Sequence, residues 1–389
     1  MLHVIPSVSR SSGGPSKALG QMERVLTEAG LEIVSITTDD DGPNGRLDVR
    51  PCTPVESNGA TRFYFPLQVR PYKASLPLLR WLRSEVPKFD LVHVHALFSF
   101  APVAAAWIAR SAGVPYIIRP LGVLNHYGME HRRSRLKALS IRVMEGGLLR
   151  DAAAVHFTAA QEQEEAESLG IQMRSRVVPL GIEPMPAVSA DLFLEAYPGL
   201  GKRRLLFLSR VDPKKNIEVL LAAVALCRRK DPEISLILCG DGDTAYVSQL
   251  KAMAAGLGLE DCVVWAGHVE GRMKASAFAA AHLFVLPSFS ENFGIAAVEA
   301  LSVGLPCILG EGVAVAKRVD EAGAGRAVAP TTAAFSDAIA STLRAPDLLK
   351  DMSARARQLA QTEYSLRAMR RALLAMYADA CSGDGTTRS

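Results

Sequence analysis

Two glutamates, Glu291 and Glu299, stand eight positions apart in the run SENFGIAAVEALSVGLP. At about 100° per residue, eight positions is roughly two helical turns, which returns both carboxylates to nearly the same side of a helix. Between them, the backbone N–H groups of Asn292, Phe293 and Gly294 fall where a helix would begin, so unpaired donors and the helix dipole favour an anion there. Gly294 permits close approach of a ligand to the backbone. A second pair of residues, Arg210 and Lys215 in SRVDPKKN, flanks a tight turn made by Asp212-Pro213. Arginine offers phosphate a bidentate fork and lysine a mobile point charge. Carboxylates for hydroxyls and cations for phosphates together suit a ligand that is both anionic and rich in hydroxyl groups.

Further candidates are less specific. Gly13 and Gly14 lie in a glycine-bearing turn between a first strand and a first helix, where doubly wound folds hold ligands, but the spacing is not G-x-G-x-x-G and a dinucleotide site is poorly supported. His93 and His95 share one face of a strand end, with no Asp, Glu or Cys at ligand spacing beside them, so a metal site is not expected. Asp39, Asp40 and Asp41 read as a solvated turn. Asp241 and Asp243 spell a D-x-D metal motif, yet they follow Gly240 in a turn that enters a helix. Residues 131–150 combine Arg132, Arg133, Arg135, Lys137 and Arg142 with Leu136, Leu139, Ile141, Val143 and Leu148, an amphipathic basic stretch that suits either a core-facing helix or an anionic membrane surface.

The elements that must position these groups are legible as alternating strands and helices. Apolar strand runs recur at residues 3–6, 31–36, 63–65, 91–94, 116–118 and 153–157, and again at 204–208, 234–239 and 283–286, with a strand and exit loop over 263–269 and helical spacing between many of them. Such alternation predicts α/β units with parallel sheets. Trp265 is expected in a core. The proline-rich stretch 183–188 is a natural linker, giving a first domain over 1–182, a second over 183–365, a helix over 366–381 and a disordered tail over 382–389.

With 389 residues, the chain is long for one core. Hydrophobic residues at 49% and charged residues at 22% describe a globular protein, and a net charge of +4 does not call for nucleic acid. The six cysteines show no C-x-x-C spacing and read as reduced core residues of a cytosolic protein. No apolar run approaches the ~18 residues of a membrane span, and the N-terminus lacks the charged region of a signal peptide.

The segment from Glu291 to Pro306 resembles the E-x7-E motif of retaining glycosyltransferases with the GT-B architecture, in particular the large family 4. The resemblance extends over nearly the whole chain and implies two Rossmann-like domains facing each other across a cleft, with the last helix crossing back to the first domain. It implies transfer of a sugar from a nucleotide-diphosphate sugar to a hydroxyl of a glycan or lipid-linked acceptor, in exopolysaccharide or cell-surface polysaccharide synthesis. Arg210 and Lys215 match the family's diphosphate clamp, with Ser209 in place of the usual glycine. Glu291 and the N–H groups of Asn292, Phe293 and Gly294 would hold the donor sugar or its phosphate, and Glu299 the ribose. Gly13 and Gly14 match a loop near donor phosphate and acceptor, Gly240 matches the family's G-D-G turn, and His268 its contact to the nucleotide base. His95 and Arg119 are the matching acceptor or cleft candidates. The sequence departs where many members carry a histidine after the strand at 116–118, since Arg119, Pro120 and Leu121 stand there and His126 follows. The resemblance implies no cofactor and no divalent metal, and a cytoplasmic protein at the inner face of the membrane, held there through residues 131–150. A nucleotide-sugar epimerase of the same architecture and an inactive nucleotide-sugar-binding module are the competing expectations.

Overall fold

The computed structural model describes residues 1–9, 14–42, 45–124, 137 and 139–382. It divides into two compact units, Met1–Gly181 with Leu366–Ser389, and Ile182–Ser365, so the passage between them falls one residue before the sequence boundary.

The first unit runs β1 (Leu2–Val4), α1 (Gly14–Thr27), β2 (Val34–Thr38), β3 (Pro54–Ser57), β4 (Ala60–Phe65), α2 (Leu76–Glu85), β5 (Val92–His95), α3 (Phe100–Ala112), β6 (Tyr116–Arg119), α4 (Gly146–Asp151), β7 (Ala154–Phe157), α5 (Ala160–Glu167) and β8 (Ser175–Val177). Its sheet has the order β3-β4-β2-β1-β5-β6-β7-β8, parallel except for the β3–β4 pair. That hairpin is absent from the sequence reading. Its signal was Asn58-Gly59, a two-residue loop in which both φ angles are positive, +54° and +78°, as a type I′ turn requires.

The two faces of this sheet differ in chemistry. Leu2, Val4, Val92, Val94, Ile118 and Val155 point into an aliphatic core shared with α2 and α3. On the opposite face, neighbouring strands align Arg62 with Ser35, Ser35 with His3, His3 with His93, and His95 with Arg119. The α1 helix covers that face through Met22 and Glu23, and the terminal helix Leu366–Ser382 through Tyr377. Glu23 is fully buried, pairs with Arg62, and accepts hydrogen bonds from Ser35 Oγ at 2.6 Å and Asn58 Nδ2 at 3.1 Å. The acidic run also departs from the expectation of a solvated turn. Asp39 and Asp40 are both 5% exposed, with Asp39 accepting from Leu67 N at 2.7 Å and Asp40 paired to Lys73 at 2.7 Å. Charge partners from later in the chain draw both side chains inward.

The second unit runs α6 (Asp191–Ala196), β9 (Arg203–Leu208), α7 (Ile217–Arg228), β10 (Ile234–Cys239), α8 (Thr244–Gly256), β11 (Val263–Gly267), α9 (Gly271–Ala280), β12 (Leu283–Leu286), α10 (Ile295–Ser302), β13 (Cys307–Gly310), α11 (Ala316–Glu321), β14 (Gly325–Val328), α12 (Thr332–Leu343) and α13 (Pro346–Glu363). The sheet is wholly parallel, in the order β11-β10-β9-β12-β13-β14. Strand order reverses between β9 and β12, and the crevice outside the carboxyl ends of two such strands is where open α/β sheets bind ligands.

Cys227, Cys239, Cys262 and Cys307 are buried and unpaired, whereas Cys52 and Cys381 are exposed rather than core. Among the described residues, no helix is long and apolar enough to cross a membrane.

Candidate functional site

The loops leaving β9 and β12 carry Lys215 and Glu291, and the two side chains form an ion pair at the point where strand order reverses. Local chemistry fixes the lysine. Asp212 caps the short 3-10 turn Pro213–Lys215 by accepting from Lys214 N at 2.9 Å, and Asn216 stops the turn with φ of +55° while its amide donates to Pro330 O at 3.1 Å. Phe289 N donates to Lys214 O at 3.0 Å and binds the β12 loop to the β9 loop. Lys215 is only 6% exposed as a result. Burial, and secondarily the charges of Lys214 and Arg210, pull its pKa down to about 8, with Asp212 opposing. Arg210 itself is exposed at the start of the same loop. Glu291 balances Lys215, and an anionic ligand would add a counter-charge beside Lys215 and the neighbouring Arg210.

The β10 loop supports this arrangement from the other side. Val211 and Gly242 form an isolated parallel bridge, and Val211 N donates to Asp241 O at 2.8 Å. Gly240 has φ of +138°, and a Cβ there would stand 1.8 Å from Ser209 O, so only glycine lets the two loops close on each other. Asp243 of the D-x-D run is a helix cap, accepting from Tyr246 N at 3.0 Å at the start of α8. Trp265 is half-buried rather than core. It lines a cavity of about 350 Å³ with Gly240, Asp241 and Gly267, and the Lys251 ammonium lies 5.8 Å from its ring centre. His268 is exposed on the β11 loop, 3.7 Å from Glu270.

Beyond β12 the chain turns into α10 through Gly294, which has φ of +91° and packs against Val313. Asn292 is exposed, while Phe293 is buried with its ring edge-on to Tyr364 at 5.8 Å. Glu299, one face along α10, is 6% exposed and pairs with Lys274 of α9 at 2.6 Å. Lys274 carried no motif in the sequence, because its meaning comes only from the side-chain pair it makes with Glu299 across two helices. All of these groups follow the carboxyl ends of β9 to β12 within one unit.

The first-unit candidates are placed differently. Gly13, His126, residues 131–136 and Ala138 lie outside the described residues, and Gly14 is the first residue of α1. His95 and Arg119, read as cleft residues, are buried at 0% and 3% exposure under α1 and the terminal helix. His95 Nε2 shares a hydrogen bond with His3 Nδ1 at 2.8 Å, and His93 joins Tyr377 OH at 2.9 Å and His156 at 3.3 Å. Burial above all, and then neighbouring positive charge, lowers His3 and His156 to about 3 and His93 and His95 well below their usual range. His3, His93 and His95 bring nitrogens within 4.8 Å of one another. A dication there would share a dry site with the Arg119 guanidinium, which burial lowers to about 10, so the cluster is a neutral hydrogen-bonded layer of the core. At the exits of β5 and β6, Ala96, Phe98 and Leu121 hold φ of +83°, +56° and +60°. Glu162 braces the second of these loops by accepting from Gly122 N at 2.7 Å. Strained backbone of this kind persists only where its surroundings over-determine it.

Comparison with known proteins matches residues 197–359 to the family described as Glycosyl transferases group 1 and residues 13–181 to the Glycosyl transferase 4-like domain. The chain is 29% identical over 344 residues to a phosphatidyl-myo-inositol mannosyltransferase of Mycobacterium leprae, spanning 86% of this chain and 82% of that one. It is 29% identical over 235 residues to an alpha-monoglucosyldiacylglycerol synthase of Streptococcus pneumoniae, spanning 57% of this chain and about half, 52%, of that relative. The Anabaena protein Alr3699/HepE, solved in complex with UDP-glucose, superposes with a TM-score of 0.74 at 19% identity, covering 97% of this chain and 98% of that one. The architecture of two parallel-sheet α/β units is thus shared with solved GT-B proteins.

Proposed function

The chain belongs to the group 1, family 4 glycosyltransferases of the GT-B fold, and from that premise we propose that it moves a sugar from a nucleotide-diphosphate sugar to a hydroxyl of a glycan or lipid-linked acceptor, with retention at the anomeric carbon. The observation that carries this reading is the buried Lys215 beside Arg210, facing Glu291 at the strand-order reversal. As the bond from the anomeric carbon to the diphosphate oxygen breaks, negative charge grows on the leaving group. Lys215 is a cation held in place beside that charge, so it needs little reorganisation when the charge appears, and Arg210 adds a second cation from the same loop. Glu291 and the N–H groups of Asn292, Phe293 and Gly294 hold the sugar and its phosphate, and Glu299 accepts from the ribose hydroxyls. On the front-face route that the family resemblance suggests, the acceptor oxygen bonds to the anomeric carbon on the side the diphosphate leaves, and its proton passes to the departing phosphate oxygen. No divalent metal takes part. The relatives named as a monoglucosyldiacylglycerol synthase and a phosphatidyl-myo-inositol mannosyltransferase support an acceptor anchored in lipid.

A screen of UDP- and GDP-linked sugars by thermal denaturation tests the reading. A donor at about one hundred times its Kd is expected to raise the melting temperature by about 2–6 °C, since it binds only the folded state. The same donor should then be consumed in the presence of EDTA and a polyprenyl or diacylglycerol acceptor. A flat screen across both nucleotide series would reject the donor assignment.

The same reading places the protein peripherally on the inner face of the cytoplasmic membrane. Leu139, Val143 and Met144 are exposed at 58%, 75% and 38%, close in sequence to the exposed Arg142 and Arg150. Trp107 is 55% exposed on α3, which is tied to α4 by the Arg110–Asp151 pair at 2.7 Å. Apolar and aromatic side chains flanked by cations match an anionic interface. Vesicles containing phosphatidylglycerol should sediment the protein in low salt and release it as salt rises, whereas equal binding to neutral vesicles would exclude the electrostatic part of this contact.

A further inference from the structure

We infer that Lys274 is a positioning residue for the ribose-recognising carboxylate, and that through Glu299 it sets the preference of this site for ribonucleotide over deoxyribonucleotide donors. The inference rests on the donor reading of the second unit and extends it to a residue that reading does not use.

Lys274 lies in the opening turn of α9, the helix that follows directly from the β11 loop bearing His268. A lysine in the first turn faces the positive end of the helix dipole, an unfavourable place for a cation if helix stability were its purpose. Its ammonium instead reaches α10 and pairs with Glu299 Oε2 at 2.6 Å. The Glu299 side chain is 8% exposed and that of Lys274 22%, so the pair is largely withdrawn from water. A hydrogen bond from a hydroxyl to a carboxylate is directional, so its strength depends on how the carboxylate oxygens are held. Lys274 therefore fixes one oxygen of Glu299 and with it the plane of the carboxylate. It also links two parts of the proposed donor site, because the helix that carries Lys274 starts directly after the loop assigned to the base.

The test is a set of calorimetric titrations with UDP and GDP and with their 2′-deoxy and 3′-deoxy counterparts, read as the ratio of affinities within each protein. A ratio cancels any change in the folded fraction. Wild type is expected to favour the ribonucleotide by about tenfold or more at one of the two hydroxyls, the size of a hydrogen bond to a charged group. Lys274→Met should bring that ratio to within about threefold, and Lys274→Arg should restore most of it, since the charge and reach are kept. Full wild-type discrimination in Lys274→Met, with discrimination lost in Glu299→Ala, would overturn the role of Lys274 while leaving the donor reading in place. Discrimination that survives Glu299→Ala would overturn the ribose assignment, and this inference with it.

Discussion

Lys215→Ala is expected to lower kcat by about 10²–10³-fold, the cost of removing one preorganised charge from a developing anion, while the melting temperature stays within a few degrees of wild type. Of the two proposed clamp cations the fold buries Lys215, and its partner Glu291 is the carboxylate proposed to hold the sugar. A charge held at 6% exposure interacts through a medium of lower dielectric than water, so its effect on the leaving group exceeds that of the exposed Arg210. The pH dependence has a definite sign. The protonated form attracts the diphosphate, and in the free protein the pKa lies at about 8 because burial disfavours the charge. Donor affinity should therefore hold below pH 8 and weaken as pH rises through that value. Titrations between pH 6.5 and 9.5 check this, and Lys215→Ala should flatten the curve. Turnover unchanged in the alanine variant would remove Lys215 from the chemistry.

Glu23→Ala is expected to destabilise the first unit by about 3–5 kcal/mol, the usual cost of leaving one partner of a buried ion pair uncompensated. Glu23 is wholly withdrawn from water, and one carboxylate serves Arg62, Ser35 and Asn58. Burial alone would lower the pKa of Arg62, but the charge and hydrogen bond of Glu23 outweigh it and hold the guanidinium above its usual value. Without Glu23, a cation remains on the polar sheet face with α1 over it. Urea denaturation, followed by the far-UV signal, measures the loss. Replacing both partners at once, Glu23→Leu with Arg62→Met, should recover much of it, because an apolar pair removes the stranded charge. If the single variant unfolds with the wild-type midpoint, the pair is not what fastens α1 to the sheet.

How much of this was legible in the residues depends on whether the signal was local. Alternating strands and helices are local patterns, and they predict two parallel-sheet units. Glu291, Gly294 and Glu299 share one strand-loop-helix segment, so their spacing alone brings them to one end of the sheet. Arg210 and Lys215 were legible for the same reason, although the meeting of Lys215 with Glu291 was not, since it depends on β9 and β12 being neighbours. The histidine layer is hidden more deeply. His3, His93, His95 and His156 come from three strands, and only strand order and register make them one cluster with Tyr377 from the far end of the chain. Hence His95 and Arg119 look like cleft residues in the sequence and are core residues in the fold. Lys274 shows no motif at all, and its meaning comes from one contact across two helices.

The proposed chemistry depends on one anion site, where the loops after β9 and β12 meet. Calorimetric titration of UDP and of GDP into wild type and into Lys215→Ala at pH 7 tests it most directly. At least one of the two nucleotides should bind wild type with a one-to-one stoichiometry and bind the alanine variant about tenfold or more weakly. Equal affinity of that nucleotide for both proteins, or no heat from either nucleotide with wild type, would contradict the account.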